Sequence, residues 1–359
     1  MSALRKLKYF KIEILKAIIA VFSLITIVLL SHYDKDAMIA FVMIQAIITI
    51  QSSCFDFGSN VYNMDVSHGE LVFSQSSIDK KIYLLINGIS LLAVYYFYHD
   101  VIGSYLFPFL ILGSVGNVFL MRSTTVYRRS GLVLNSIIYF ELSIVLVKML
   151  SYPVLIMFGL DVFKAFLMLI PIIVAIVSFK YCKIDNLSVF KLFSFNDEKK
   201  IEIKYLIISA SIAFKNQALS LFLPLVSYSN QGLVVVITRV NSVIILACSG
   251  INARIPSLVR DYIKDNSNNL LFQVYIILAL MFLFSCLLLP FYIPEISTYF
   301  NYDYQVDYLS YEFLLCCIIF FSVVQSANQI VFQSMNRSKL SLISECIYIL
   351  ILFIIMNKV

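Results

Sequence analysis

Charge is what this sequence has least of. Lysine, arginine, aspartate and glutamate make up 13% of its 359 residues, while 61% are hydrophobic. A soluble domain of that length needs a far more charged surface, so a water-facing fold is excluded and an integral membrane protein is expected. Glycine and proline, at 10 and 7, are too few for a fibrous or disordered chain. Histidine occurs three times, and the seven cysteines form no CxxC and no Cys/His cluster, which argues against a metal site. Cys54, Cys248, Cys286, Cys316, Cys317 and Cys346 instead sit in or beside apolar runs, where a small soft side chain packs easily. No cofactor is expected. The first apolar run lacks a small-residue cleavage pattern and leads into further apolar runs, so it reads as a span. No connection is long enough for a soluble catalytic domain, and the chain is not expected to be an enzyme.

What is present is a series of long apolar runs. About 20 residues of helix cross a bilayer core. Allowing isolated charges inside a helix, eleven spans are predicted: 13–31, 37–55, 81–98, 102–121, 131–151, 154–179, 204–226, 231–250, 270–291, 309–331 and 340–357. A strand reading requires polar and apolar residues to alternate, and "IILALMFLFSCLLL" does not. Unpaired backbone groups are costly in lipid, so such runs are helical. The fold class is therefore an all-α polytopic membrane protein.

Lysine and arginine set the orientation. With the N terminus in the cytoplasm, the inner segments hold 21 of the 27 basic residues, from Arg5, Lys6 and Lys8 through Arg122, Arg128 and Arg129 to Arg337 and Lys339. The outer segments hold only Lys35 and Lys358. This asymmetry predicts a cytoplasmic N terminus, and it accounts for the net charge of +6 without any nucleic-acid partner. The longest inner connection follows the sixth span. It divides the chain into a lobe of six helices (1–180), a cytoplasmic linker (181–203) and a lobe of five (204–359).

A few charges fall inside spans: Lys148, Lys164, Lys215 and Arg239, with the acids Glu141, Asp161 and Glu345. A charge at the bilayer centre costs about 2.5–3.5 kcal/mol on insertion scales, so such residues turn inward, pair or line a watery cavity. Lys215 is near the middle of the seventh span, in a polar sector with Ser209, Ser211, Asn216, Gln217 and Ser220. Arg239 lies on the eighth span with Thr238, Asn241 and Ser242 around it. Two cations on neighbouring helices call for water or an anion between them, or for bridges to Glu141 or Asp161. Lys148 and Lys164 are further candidates for the same path. Each has a plainer alternative: Lys148 can snorkel outward, and Asp161 can neutralise Lys164 three residues on. Asp56, closing the second span before Gly58, reads as a solvated boundary or helix cap. Pro171, Pro224 and Pro290 read as kinks or helix ends.

Several segments resemble one family. "FDFGSNVYN" after the second span is similar to the aspartate-glycine element that follows the second helix of polysaccharide flippases. "GLVVVITRVNSVIILACSGINARIPSLVRDY" resembles their eighth helix and following loop, and "VQSANQIVFQSMNRSKLSLISECIYIL" their tenth and eleventh helices. The family is the O-antigen (polysaccharide) flippase branch of the multidrug/oligosaccharidyl-lipid/polysaccharide exporter superfamily. The resemblance implies two pseudo-symmetric helical bundles forming a V-shaped central cavity, where the family normally has at least twelve helices. It also implies movement of undecaprenyl-pyrophosphate-linked oligosaccharide, an O-antigen or capsule repeat unit, to the outer leaflet of the bacterial plasma membrane. Lys215, Arg239, Lys164, Lys148, Asn216 and Asn241 would then bind substrate. Glu141 and Asp161 would couple transport to a proton or sodium gradient, with other polysaccharide assembly proteins as partners. A small-molecule exporter of the same superfamily is the main alternative, though it would favour carboxylates in the cavity. A membrane polysaccharide polymerase is the other; it would want a large basic outer loop, whereas 292–308 carries only Glu295, Asp303 and Asp307 as charged residues.

Overall fold

The apolar runs fold as helices. A computed structural model describes residues 3–33, 35–64, 80–102, 107–129, 132–159, 169–177, 179, 203–226, 231–232, 234–235, 259, 269–299, 316–325, 327–328, 331–332 and 338–356. Among the described residues every regular element is helical. In chain order these are α1 (Ala3–Tyr33), α2 (Lys35–Asp56), α3 (Ser59–Met64), α4 (Lys80–Ile102), α5 (Phe107–Arg129), α6 (Val133–Ser136), α7 (Ser143–Met157), α8 (Ile203–Leu221), α9 (Asn269–Tyr299) and α10 (Ser338–Met356). A π turn, Ile137–Leu142, joins α6 to α7, and a second, Phe321–Gln325, continues the helical residues 316–320.

Two uninterrupted described stretches, Phe107–Tyr127 and Leu134–Ser151, are both long and apolar enough to cross a bilayer. Shorter apolar helices run Ile14–Leu29, Phe41–Asp56, Tyr83–Tyr96, Tyr205–Lys215, Tyr275–Leu288, Cys316–Gln325 and Leu342–Ile354. Most of the predicted eighth span, 231–250, lies outside the described residues, as do 160–168 of the sixth. Pro224 marks an end: α8 stops at Leu221 and a 3₁₀ turn, Leu223–Leu225, follows. Pro290 lies within α9.

Exposure is inverted relative to a soluble protein. On α4, Leu85, Ile89, Leu92 and Tyr96 recur on one face and are 61%, 57%, 69% and 75% exposed, while Asn87 on the opposite side is 5% exposed. On α10, Ile343, Ile347, Leu350 and Ile354 are exposed while Glu345 and Tyr348 are buried. Apolar stripes of this extent need an apolar solvent. The chain is a polytopic membrane protein whose helices turn polar groups inward and hydrocarbon outward.

Packing divides the chain into two compact units, one formed by Asp36–Leu221 and the other by Met1–Lys35 with Phe222–Val359. In the first, polar contacts fix the directions of neighbouring helices. Gln51 and Phe55 of α2 meet Ser90 and Tyr83 of α4, an antiparallel pairing. Ser52 and Asp56 meet Asn117 and Arg122 of α5, a parallel one. This is the alternation expected of successive spans. α8 runs antiparallel to α2: Leu206 packs with Phe57 and Tyr83 near the start of α8, and Leu221 packs with Ala46, Ile47 and Leu110 near its end. Helices also approach closely between α5 and the helical residues 169–177. A Cβ on Gly116 of α5 would come within 2.5 Å of Val174 Cγ2.

Candidate functional site

A polar seam is buried where α2 meets α4 and α5. The serine hydroxyl of Ser90 donates to Gln51 Oε1 at 2.8 Å, and Asn117 Nδ2 donates to Ser52 Oγ at 2.8 Å. Tyr83 Oη donates to the Phe55 carbonyl at 3.1 Å, and Asn87 Nδ2 donates to the Tyr83 carbonyl at 3.0 Å. Buried Gln51 Nε2 and Asn87 Oδ1 find no hydrogen-bond partner among the described residues, which leaves the seam one spare donor and one spare acceptor within that set. Interhelical polar contacts of this kind supply specificity that apolar packing in lipid lacks.

The seam ends in an ion pair. Arg122 Nε lies 2.9 Å from Asp56 Oδ1, and both side chains are fully buried. The carboxylate also accepts from the Ser59 hydroxyl and, at 2.7 Å, from the Asn60 backbone N–H. Thr125 Oγ1 reaches Asn60 Oδ1, extending the network one turn along α5. The sequence reading of Asp56 is therefore half corrected: it caps the next helix, but it is buried and charge-paired, where a solvated boundary was expected. Arg122, read as one of the cytoplasmic charges, is its partner. The missed signal is depth: the two charges close neighbouring spans at the same predicted end. Removing one partner of a buried pair leaves an uncompensated charge, which costs about 3–5 kcal/mol.

The backbone beside the pair is forced into a narrow shape. Phe57 has φ of +53° and Gly58 of +75°, the left-handed region that non-glycine residues seldom adopt. Burial of the Phe57 ring, tilted against Tyr83 with centroids 5.8 Å apart, offsets its strain. Gly58 is required twice over. A Cβ there would fall 2.3 Å from the Tyr205 carbonyl carbon, so the turn sits directly on the α8 backbone. Tyr62 and Tyr205 meet edge to face at 5.2 Å beside it.

That contact positions the helix carrying Lys215. Lys215 follows Tyr205 along α8 by about 15 Å, from ten residues at a 1.5 Å rise. Its side chain is half-buried, with Ser209 buried and Ser211, Gln217 and Ser220 half-buried on the same helix. Asn216 is on α8, but its side chain lies outside the described set. Lys148, on α7, is half-buried with its ammonium 5.9 Å from the centre of the Phe41 ring on α2, a cation–π distance. Glu141 is half-buried within the π turn, held beside Phe140, whose ring packs on Tyr127 at 5.5 Å. Such turns are common at functional positions. Asp161, Lys164, Arg239 and Asn241 fall outside the described residues.

No family model matches this sequence, and no curated protein matches it. Among solved structures, the chain is similar to one described as the inward-facing conformation of a multidrug resistance MATE family transporter of the MOP superfamily. The two share 14% sequence identity and a TM-score of 0.58, over 92% of this chain and 87% of the other. The likeness establishes the fold.

Proposed function

We propose that this protein is a transporter that carries a polar or charged solute across the membrane by alternating access between two helical lobes. The observation that carries this reading is a transporter fold matched over nearly the whole chain, on helices that put polar groups inside and hydrocarbon outside. In this reading the lobes are the sequence halves 1–180 and 204–359, joined by 181–203, which exchange α1 and α8 in forming the two compact units. The N terminus is cytoplasmic and the membrane is the bacterial plasma membrane. No covalent bond changes.

Residue chemistry favours an anionic, lipid-linked substrate. Undecaprenyl-pyrophosphate-linked oligosaccharide has a headgroup that cannot cross hydrocarbon unaided and a tail that can stay in lipid. Lys215 would meet pyrophosphate or acidic sugars as a point charge, and the Arg239 guanidinium as a bidentate fork. Asn216, Asn241, Lys148 and Lys164 would add donors along the path. Glu141 and Asp161 would take up the coupling proton or sodium ion, and polysaccharide assembly proteins would supply and receive the substrate.

The solved relative favours a second substrate class. That protein is described as a multidrug resistance transporter, and its fold equally suits export of small organic solutes.

One experiment separates them. Purified protein in proteoliposomes is assayed for translocation of lipid-linked oligosaccharide and for efflux of a cationic dye, alongside Lys215→Ala and Arg239→Ala. Lipid-linked transport reduced at least tenfold in both variants supports the flippase reading. Dye efflux untouched by either variant supports the exporter. Transport of neither substrate by the intact protein would overturn the proposal.

A further inference from the structure

The thiols of the second unit are not scattered. Cys286 on α9 is within hydrogen-bonding reach of Cys316, on the helix 316–325. Two more contacts place these thiols in one register. The Phe282 and Phe320 rings meet edge to face at 5.4 Å, four residues back on one helix and four forward on the other. Further along, Tyr275 Oη donates to Asn328 Oδ1 at 2.7 Å. The three contacts describe one antiparallel seam, with aromatic and polar contacts holding the thiols opposite each other.

We propose that Cys286 and Cys316 form an oxidisable dithiol site, converted by a small disulfide oxidant into an interhelical disulfide between α9 and helix 316–325. Both cysteines are free thiols and half-buried. Packed helices lie about 8–10 Å apart on Cα radii of about 2.3 Å, leaving roughly 3–5 Å between facing Cα positions, which overlaps the span a disulfide bridges. Cys317, one residue on, points about 100° away around the helix. It is within electrostatic range of Cys286 as well as of Tyr348 on α10, but the hydrogen-bonding contact to Cys286 is made by Cys316.

The exchange balances in two steps. The Cys286 sulfur, having given up its proton, attacks one sulfur of the oxidant and forms a mixed disulfide; the other half departs and takes up a proton as a thiol. Cys316, likewise deprotonated, then attacks the Cys286 sulfur, closing the protein disulfide and releasing the second half as a thiol. Two protein thiols are oxidised and one oxidant disulfide is reduced.

The test uses the full chain in detergent micelles with dipyridyl disulfide, which is apolar enough to enter the helix surroundings. Peptides are then mapped without reduction. Wild type is expected to give a peptide pair joined through Cys286 and Cys316. Cys286→Ser and Cys316→Ser should lose that pair, and Cys317→Ser should keep it. A bridge to Cys317 in wild type, or persistent pyridyl adducts on both Cys286 and Cys316, would overturn the proposal. The wild-type map decides the matter alone if a serine variant fails to fold.

Discussion

Two helix seams in this molecule are built from opposite chemistry. The α2–α4–α5 seam is held by amides, hydroxyls and a fully buried ion pair. The seam between α9 and helix 316–325 is held by an aromatic pair, a phenol–amide hydrogen bond and two thiols. Dispersion and thioether-like softness tolerate small shifts, whereas charges buried in low dielectric do not. The first seam should therefore be brittle under substitution and the second forgiving.

The sharpest way to break this contrast is Arg122→Leu. It leaves the fully buried Asp56 carboxylate without its charge partner, and a loss of about 3–5 kcal/mol is expected, read as a collapse of heat-surviving protein in fluorescence-detected size exclusion. Pairing it with Asp56→Leu should recover most of the loss. If the double variant is as unstable as Arg122→Leu, the pair is not the source of the effect.

Gly58→Ala comes next. A Cβ against the Tyr205 carbonyl carbon at 2.3 Å has only backbone to displace, and φ of +75° adds strain. A loss of about 2–3 kcal/mol is expected. The displaced backbone belongs to the helix carrying Lys215, so any transport the protein performs should fall further than stability alone accounts for. Wild-type stability in this variant would mean that the α2–α3 turn and α8 are not in close contact.

Much of the helical framework is readable from composition. The predicted 37–55 and 340–357 lie close to Lys35–Asp56 and Ser338–Met356, because uninterrupted apolar runs in lipid have few alternatives to a helix. The buried ion pair is not readable in that way. Asp56 and Arg122 stand 66 residues apart, and each alone resembles an ordinary charge closing a span. Only the register of α2 against α5 brings them together. The π turn at Ile137–Leu142 is equally silent: nothing in "IIYFEL" distinguishes i→i+5 bonding from an α-helix. Lys215 is legible as a half-buried residue of a polar helix sector. The ring beneath Lys148, Phe41, is a long-range pairing that no local pattern signals.

The smallest effects sharpen the contrast most, because the same deletion can be made in both seams. Tyr83→Phe removes a hydroxyl that bonds the Phe55 carbonyl from a buried position beside the ion pair. Membrane polar contacts average about 0.6 kcal/mol, and this one should cost about 1 kcal/mol because the abandoned carbonyl stays buried. Tyr275→Phe removes a hydroxyl that bonds Asn328 Oδ1 in the second seam. Both of its partners are half-buried, so lipid headgroups or water can replace the lost contact, and about 0.5 kcal/mol or less is expected. Thermal unfolding of both variants under one detergent condition measures the difference directly. Equal losses would mean that burial does not set the strength of these contacts, and the distinction between a brittle and a forgiving seam would then rest on the ion pair alone.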